Sequence, residues 1–226
     1  MQTLLITGSD RGIGLEFVKQ YAEEGWKVLA TYLGPETPDA LQQIAQMHPN
    51  VILYQLDVTD FVRVKKLSCE LKREQIDLLI NNAGIFCTDP FGKLNPQAFE
   101  RIYRTNAIAP LIICESFHPL LTIKNSVIVS ISSKTASIGG DFTENMIAYR
   151  MSKAALNMAM QEVARRLAPQ GVVVLLLAPG YVRTSMSPQA TLEPFESVSL
   201  MRQVIARNKE LNSGGFYDRF GTSIEW

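Results

Sequence analysis

Short apolar runs alternate with longer amphipathic stretches along the whole chain. The runs are TLLIT, KVLATYL, NVILYQL, IDLLIN, SVIVSI and GVVVLLLA, and GGFYDRFG near the C-terminal end supplies an edge strand. Nearly continuous apolar character is typical of strands that are covered on both faces of a sheet. The alternation therefore predicts βαβ crossovers and a parallel sheet.

The stretches between the runs have the hydrophobic spacing of helices. Predicted helices cover residues 14–24, 39–47, 60–72, 96–121, 145–167 and 195–208. No repeat, linker or shift in composition divides the chain, so we expect one domain over residues 1–226. The predicted fold class is α/β, a doubly wound parallel sheet of about seven strands with helices on both faces.

Charge and cysteine usage exclude several classes of function. The 22 basic and 22 acidic residues cancel, so no overall field favours nucleic acid or an anionic membrane. The three cysteines are widely spaced, without a CxxC pair, and no residues have metal-ligand spacing. The apolar runs are shorter than the roughly 20 residues of a membrane span. We expect a cytoplasmic protein with no metal, membrane span or nucleic-acid partner.

A glycine-rich turn follows the first apolar run, in LLITGSDRGIGLE. Gly8 permits a tight turn, and Gly12 and Gly14 allow the backbone to approach a pyrophosphate at a helix N-terminus. Turns are rich in glycine for steric reasons, so the spacing alone is weak. Its place after the first strand of an α/β pattern is where a dinucleotide binds, and we expect one here.

The end of the second run indicates which dinucleotide binds. An acidic residue there would bind the ribose hydroxyls of NAD, but the run ends in Tyr32 and Leu33, and the nearest acid is Glu36. No carboxylate is expected to repel a 2′-phosphate, and Arg11 would attract one. NADP is the favoured cofactor and NAD the alternative; Arg11 as a solvated loop residue is the plain alternative.

Polar groups follow the third and fourth runs. Asp57 has two interpretations: it accepts from the adenine amino group, or it caps the next helix, although Thr59 or Asp60 would serve there too. The segment INNAG offers backbone groups and little bulk to a ribose, while adjacent asparagines are otherwise turn formers.

Candidate chemistry lies further along the chain. Tyr149 and Lys153 share a helix face at i and i+4, so the ammonium and an oxidised nicotinamide would bring the phenol pKa toward neutrality. Ser132 and Ser133 follow the fifth run, where a hydroxyl can polarise a carbonyl. Asn106, one turn before Pro110, would bind a water on a proton path. Each has a plain alternative as a surface pair, loop residue or kink.

The set TGSDRGIG, NNAG, Asn106, SISS, YRMSK and PGYVRT resembles the short-chain dehydrogenase/reductase family, in the family's order and over essentially the whole chain. The resemblance implies a Rossmann fold and a catalytic tetrad of Asn106, Ser133, Tyr149 and Lys153, with Ser132 as the alternative serine. It implies cofactor contacts from Gly8, Ser9, Asp10, Arg11, Gly12, Ile13, Gly14, Tyr32, Leu33, Asp57, Val58, Asn82, Ala83, Gly84, Tyr149, Lys153, Pro179, Gly180, Val182 and Thr184.

A long Ser133-to-Tyr149 interval and the C-terminal GGFYDRFGTSIEW are similar to the branch with the C-factor signalling protein and the sniffer carbonyl reductases. That branch commonly has Arg where this chain has Leu33, which leaves Arg11 to hold a 2′-phosphate. The resemblance implies an NADP-dependent reductase for an aldehyde, ketone or quinone, assembled as a homodimer or homotetramer. The alternatives are a dinucleotide-binding signalling protein and an NAD-linked alcohol dehydrogenase.

The substrate side is expected to be apolar and open. Residues 183–200 would cover the nicotinamide, and nothing in their sequence selects one substrate. Apolar candidates to line the pocket are Phe86, Phe142, Met146, Tyr181, Met186, Pro188, Leu192 and Phe195.

Overall fold

Seven parallel strands form one sheet in the computed structural model, which describes residues 1–121, 126–140 and 145–226. The strands are β1 (Thr3–Ile6), β2 (Lys27–Tyr32), β3 (Val51–Gln55), β4 (Leu78–Asn81), β5 (Val127–Ile131), β6 (Val173–Ala178) and β7 (Gly215–Asp218). Their spatial order is β3-β2-β1-β4-β5-β6-β7, so the direction of winding reverses between β1 and β4. Each predicted strand is confirmed, the edge strand included.

Helices cover both faces of this sheet. They are α1 (Gly12–Glu23), α2 (Asp39–Met47), α3 (Phe61–Glu70), α4 (Pro96–Tyr103), α5 (Ala109–Phe117), α6 (Ile147–Leu167) and α7 (Pro194–Ala206). Phe17 of α1 and Met201 of α7 belong to the core on one face. Phe117 of α5 and Met160 of α6 belong to the core on the other. The doubly wound α/β prediction is therefore confirmed.

The helix predicted over residues 96–121 is continuous from Pro96 to Leu120, but it is not a uniform α-helix. A π-helical turn, Arg104–Ile108, separates α4 from α5, and the Ala109 N–H donates to the Arg104 carbonyl five residues back. Pro110 explains the change, because it has no N–H to donate to the Asn106 carbonyl and its ring would crowd that oxygen. The turn carries Asn106 into the interior, where the residue is fully buried.

The carboxyl ends of the strands share one edge of the sheet, because all neighbouring strands are parallel. The glycine turn follows β1, the NNAG segment begins with the last residue of β4, Ser132 and Ser133 follow β5, and PGYVRT follows β6. None of the helices within the described ranges combines the length and the apolar character needed to cross a membrane.

Candidate active site

The glycine turn is packed tightly against the end of β4. Gly8 has φ 68°, and a Cβ there would stand 2.8 Å from the Ala83 Cα. A Cβ on Gly14 would stand 2.1 Å from the Gly8 carbonyl oxygen and 2.4 Å from Asn82 Nδ2. Gly14 therefore allows the turn to close on itself, a role that the sequence pattern did not distinguish from approach to a ligand.

The N-terminus of α1 suits a phosphate. The Arg11 side chain makes no capping hydrogen bond, and the first turn, which includes Ile13, contains no acidic residue. N–H groups without intrahelical partners and the helix dipole both favour an anion at such an end. Gly12, with φ 56°, keeps side-chain bulk away from this end. These residues fit the pyrophosphate of a dinucleotide.

The turn also reaches the end of β2. The Ser9 N–H donates to the Thr31 carbonyl at 2.8 Å, and the Leu33 N–H donates to Asp10 Oδ1 at 3.1 Å. A carboxylate that the residues of β2 do not reveal therefore lies at this strand end, because Asp10 comes from the neighbouring turn. The Leu33 side chain is 58% exposed.

Buried hydroxyls lie beside this strand end. Ser9 Oγ and Thr31 Oγ1 are buried and have no hydrogen-bond partner among the described residues. The Tyr32 hydroxyl accepts a hydrogen bond from Thr37 Oγ1 at 3.0 Å. Both Ser9 and Thr31 are fully covered by protein, so these two hydroxyls belong to the packing beneath the strand end and not to its ligand-facing surface.

The NNAG segment joins the two halves of the site. Asn82 Nδ2 donates to the Thr7 and Gly8 carbonyls at 3.0 and 2.8 Å, which fixes the segment to the glycine turn. A Cβ on Gly84 would lie 3.3 Å from Asn106 Oδ1 and 3.7 Å from Lys153 Nζ. Gly84 therefore lies next to both candidate catalytic side chains.

Asp57 does not cap α3. Its Oδ1 accepts from the Thr59 N–H and hydroxyl at 2.8 and 2.7 Å, whereas Asp60 accepts from the Arg63 N–H at the helix start. The capping alternative for Asp57 is thus wrong, and its contact with adenine stays a prediction. Val58, beside it, is buried.

Tyr149 and Lys153 lie on one face of the first turns of α6. Lys153 Nζ is 5.8 Å from the centre of the Tyr149 ring and donates to the Ile131 carbonyl at 2.7 Å. Phe86 packs edge-on against Tyr149, with ring centres 5.2 Å apart. Lys153 is 5% exposed, so it is not part of a surface pair, which was the plain alternative.

Burial sets the pKa values of both groups. It lowers the pKa of the Lys153 ammonium from 10.5 to about 8. It raises the pKa of the Tyr149 phenol above 10.0, while a hydrogen bond with the Ser133 hydroxyl works in the opposite direction. Without a nicotinamide, the phenol pKa is thus raised and not lowered, because desolvation opposes the phenolate more strongly than its neighbours favour it.

The two candidate serines have different surroundings. Ser132 is buried and its hydroxyl donates to Asn157 Oδ1 at 2.7 Å, inside the protein. Ser133 is half-buried, accepts from the Thr135 N–H at 3.3 Å and shares a hydrogen bond with the Thr135 hydroxyl at 2.9 Å. It also lies near enough to Tyr149 to lower the pKa of the phenol. Of the two, Ser133 is the serine that the structure brings to Tyr149.

The Asn106 side chain is held by hydrogen bonds to Ile85, after β4, and to Ser152, on α6. Its Oδ1 accepts from the Ile85 N–H and its Nδ2 donates to the Ile85 carbonyl, both at 2.9 Å. Nδ2 also donates to the Ser152 hydroxyl at 3.0 Å. Ser152, which the sequence reasoning missed, follows Tyr149 by three positions on α6, a spacing that places both residues on one side of the helix.

Asp89 is a second residue that sequence reasoning missed. It is buried, and its Oδ2 accepts from the Ala148 N–H at 2.8 Å, one residue before Tyr149. The Asp89 N–H donates to the carbonyl of Asn145, which has φ 58°. Met146, the residue before α6, provides no side-chain cap, so Asp89 caps the helix from a distant loop.

The PGYVRT segment closes over the glycine turn. A Cβ on Gly12 would stand 3.0 Å from Thr184 Cγ2, so Thr184 lies against the start of α1. Pro179 accepts a hydrogen bond from Ser197 at 2.8 Å, and Gly180 turns the chain with φ 91°. Val182 is buried. The predicted cofactor contacts after β6 thus face the predicted contacts after β1.

Sequence comparison identifies the family. The profile described as short chain dehydrogenase matches residues 2–194. The chain belongs to this family. C-signal of Myxococcus xanthus is 36% identical over 158 residues, which cover 67% of this chain and 93% of that protein.

Two solved structures are similar over the whole chain. The NADPH-bound carbonyl reductase from chicken fatty liver has a TM-score of 0.92 and 31% identity, over 100% of this chain and 99% of the other. Carbonyl reductase Sniffer of D. melanogaster has a TM-score of 0.92 and 29% identity, over 100% of both chains. The resemblance to the branch with C-signal and Sniffer is confirmed, and the chain is an oxidoreductase of the short-chain dehydrogenase/reductase class.

The substrate side of this short-chain dehydrogenase has apolar groups open to solvent. Tyr181 is 64% exposed, Phe195 62% and Met186 44%. The Phe195 carbonyl accepts a hydrogen bond from Gln20 Nε2 at 3.1 Å, so the start of α7 is fixed on α1. Phe142 lies outside the described residues.

A separate cavity of about 600 Å³ lies beside the segment that follows Ser133. Its lining includes Phe91, Ile138 and Met151 but neither Tyr149 nor Ser133. Arg150 bridges its wall by donating to the carbonyls of Thr135 and Ser137 at 2.9 and 3.3 Å. Because the candidate catalytic groups do not face it, we do not assign this cavity to the substrate.

Proposed function

We propose that this protein is an NADP-dependent carbonyl reductase that converts an aldehyde, ketone or quinone into an alcohol. The observation that carries the proposal is the pair Tyr149 and Lys153 at the carboxyl edge of the sheet, with the Lys153 ammonium 5.8 Å from the centre of the Tyr149 ring. The similarity to the chicken carbonyl reductase, whose structure contains NADPH, supports the choice of cofactor.

Tyr149 is the proposed proton donor. NADPH, when bound, supplies the hydride to the carbonyl carbon. The carbonyl oxygen receives the phenolic proton of Tyr149, and the product is the alcohol. The raised pKa of Tyr149 keeps the phenol protonated at neutral pH, as a donor requires.

Ser133 and Lys153 assist this proton transfer. Ser133 Oγ accepts from the Thr135 N–H and shares a hydrogen bond with the Thr135 hydroxyl at 2.9 Å. With the Thr135 hydroxyl as the donor of that bond, the Ser133 proton can be given to the substrate oxygen. Lys153, with a pKa of about 8, is charged at neutral pH and favours the developing phenolate. Asn106, buried next to Gly84, is a positioning residue in this proposal, because its amide is committed to Ile85 and Ser152.

Nucleotide-binding residues are proposed on the same basis. The open N-terminus of α1 takes the pyrophosphate, the end of β2 takes the adenosine ribose, and Thr184 lies where PGYVRT meets Gly12. Arg11, exposed beside the turn, is the candidate cation for a 2′-phosphate. A cytoplasmic location remains an expectation from the cysteine pattern.

Self-association is proposed from the outer faces of the helices. Ile108, Leu111, Met151 and Met158 are 44%, 40%, 46% and 65% exposed. Apolar exposure of this kind supports a homodimer or homotetramer. Light scattering of the purified protein checks the mass, and a monomer at micromolar concentration would contradict it.

The Tyr149→Phe variant tests the reductase proposal. Loss of the phenolic proton should lower kcat for a carbonyl panel by about 10³-fold, within the range of general acid catalysis, and leave the Kd for NADPH nearly unchanged. Tyr54→Phe, on β3, is the control. Full activity in Tyr149→Phe would overturn the mechanism.

A signalling role is the second candidate, favoured by the similarity to C-signal. The same variant separates the two roles. A partner-dependent function should survive Tyr149→Phe, whereas turnover should not. Wild-type protein that binds NADPH and turns over no aldehyde, ketone or quinone of the panel would favour the signalling role.

A further inference from the structure

The Asp10 carboxylate lies at the end of β2, although Asp10 belongs to the turn after β1. The Leu33 N–H donates to its Oδ1 at 3.1 Å, and the adjacent Ser9 N–H donates to the Thr31 carbonyl at 2.8 Å. Two hydrogen bonds, one made by Ser9 and one by Asp10, thus fix the turn against the end of β2. The Asp10 carboxylate therefore has a defined position.

The other oxygen of this carboxylate is uncommitted. Within the described parts of the chain, Asp10 Oδ2 has no hydrogen bond and no ion pair. Asp10 is half-buried. A half-buried carboxylate with a free oxygen is a strong hydrogen-bond acceptor and a source of negative potential.

The end of the second strand is where this fold distinguishes the two dinucleotides. A carboxylate there accepts hydrogen bonds from the ribose 2′-hydroxyl of NAD, and it repels the negative charge of the 2′-phosphate of NADP. In this chain the carboxylate comes from the glycine turn, so the residues of β2 alone do not reveal it.

The opposing positive charge is on the next residue. Arg11 is exposed and forms no ion pair in the described ranges, and the side chain of Leu33 is uncharged. One acid and one base, adjacent in sequence, therefore act in opposite directions on a 2′-phosphate.

We propose that Asp10 is a specificity-determining residue that limits the preference of this site for 2′-phosphorylated nucleotides. The inference rests on the proposed function, because it concerns the same nucleotide site. Its consequence is that NADH binds with an affinity close to that of NADPH in the wild-type protein. Removal of the negative charge of Asp10 should make NADPH bind more tightly than NADH.

The test is Asp10→Asn, which keeps an oxygen acceptor for the Leu33 N–H. Kd values are measured by fluorescence for NADPH and NADH, and by calorimetry for adenosine 2′,5′-bisphosphate and AMP, which cannot react. We expect the preference for the 2′-phosphorylated member of each pair to rise about tenfold, equivalent to about 1.4 kcal/mol. Asp39→Asn, exposed in the first turn of α2, removes the same charge elsewhere and should leave both ratios unchanged.

The outcomes separate this inference from the proposed function. An unchanged or reduced ratio in Asp10→Asn, with NADPH still bound by the wild type, overturns the role of Asp10 alone. An equal rise in Asp39→Asn also overturns it, because the effect would then be one of net charge. Wild-type protein that binds neither NADPH nor NADH overturns the proposed function. If Asp10→Asn does not fold, Asp10→Ser provides the same measurement.

Discussion

The turn between β1 and α1 and the first turns of α6 lie at the same edge of the sheet and are built differently. The turn depends on close approach of backbone atoms, with Gly14 against the Gly8 carbonyl and Gly8 against Ala83. The start of α6 is held in place by side chains. The buried Lys153 ammonium donates a hydrogen bond to the Ile131 carbonyl, and Tyr149 packs against Phe86.

Because of this difference, we expect the turn to matter mainly for stability and the start of α6 mainly for catalysis. A change in the turn should act first on stability, because no neighbouring backbone atom can move aside cheaply. A change in α6 should act first on turnover. The polar groups buried there cost free energy of folding, so their removal should lower activity without a corresponding loss of stability. Substitutions in the two regions should therefore give opposite combinations of stability and activity.

Gly14→Ala should have the largest effect. Its Cβ would lie 2.1 Å from the Gly8 carbonyl oxygen, so we expect a loss of about 4 kcal/mol in the free energy of unfolding, measured by urea titration. Gly139→Ala, whose Cβ would have its nearest neighbour at 3.7 Å, is the control. Equal stability of the two variants would contradict the packing role of Gly14.

Lys153→Met should act in the opposite direction on stability. The pKa of Lys153 falls from 10.5 to about 8 on folding, so at pH 7 the buried charge costs about 3 kcal/mol. The unfolded state holds the proton more tightly, so this cost is complete below pH 8 and declines as the pH rises toward 10.5. We expect the variant to be inactive and more stable than wild type at pH 7, with a smaller gain at pH 9.5, by urea titration.

The lost partner of the Ile131 carbonyl offsets part of that gain. A variant less stable than wild type at pH 7 would show that Lys153 is mainly structural. The same pKa predicts that kcat/KM for carbonyl reduction falls as the pH rises through about 8, because the ammonium is then lost.

Asp89→Ala should have a smaller effect, on both stability and turnover. Loss of the hydrogen bond to the Ala148 N–H should cost about 1 kcal/mol of stability and lower kcat about tenfold, since α6 carries Tyr149. Asn95→Ala removes the corresponding cap of α4. It should lose similar stability and keep its kcat. If kcat falls equally in both variants, Asp89 has no particular role in positioning.

Leu33→Arg should have the smallest effect. An exposed cation at the end of β2 should raise NADPH affinity about fivefold, worth about 1 kcal/mol, without changing that for NADH. The gain should shrink when the salt concentration rises from 0.05 to about 0.5 M, because salt screens exposed charges. Fluorescence titration at the two concentrations measures this, and a gain independent of salt would argue against electrostatics.

The strands and most helices could be predicted because their signals are local. Each buried strand is an apolar run, and residues 39–47 form α2 as predicted. Tyr149 and Lys153 could be found together because one helical turn separates them. These properties depend on residues close in sequence, which a periodic pattern describes directly.

The features that could not be predicted depend on distant pairs. Asp10 and Leu33 are 23 residues apart, Asn106 and Ser152 46, and Asp89 and Ala148 59. No local pattern indicates which strand end a turn will meet or which loop will cap a helix. The raised pKa of Tyr149 likewise results from burial, which the spacing of Tyr149 and Lys153 does not reveal.

The π-helical turn at Arg104–Ile108 restricts how the length of this chain can change. A turn that closes on the fifth residue offsets the faces of α4 and α5 by one residue, or about 100° around the axis. An insertion or deletion of one residue between α4 and α5 would rotate the Asn106 amide away from Ile85 and Ser152. In related sequences we therefore expect gaps to occur in the surface loops and to be absent from this stretch.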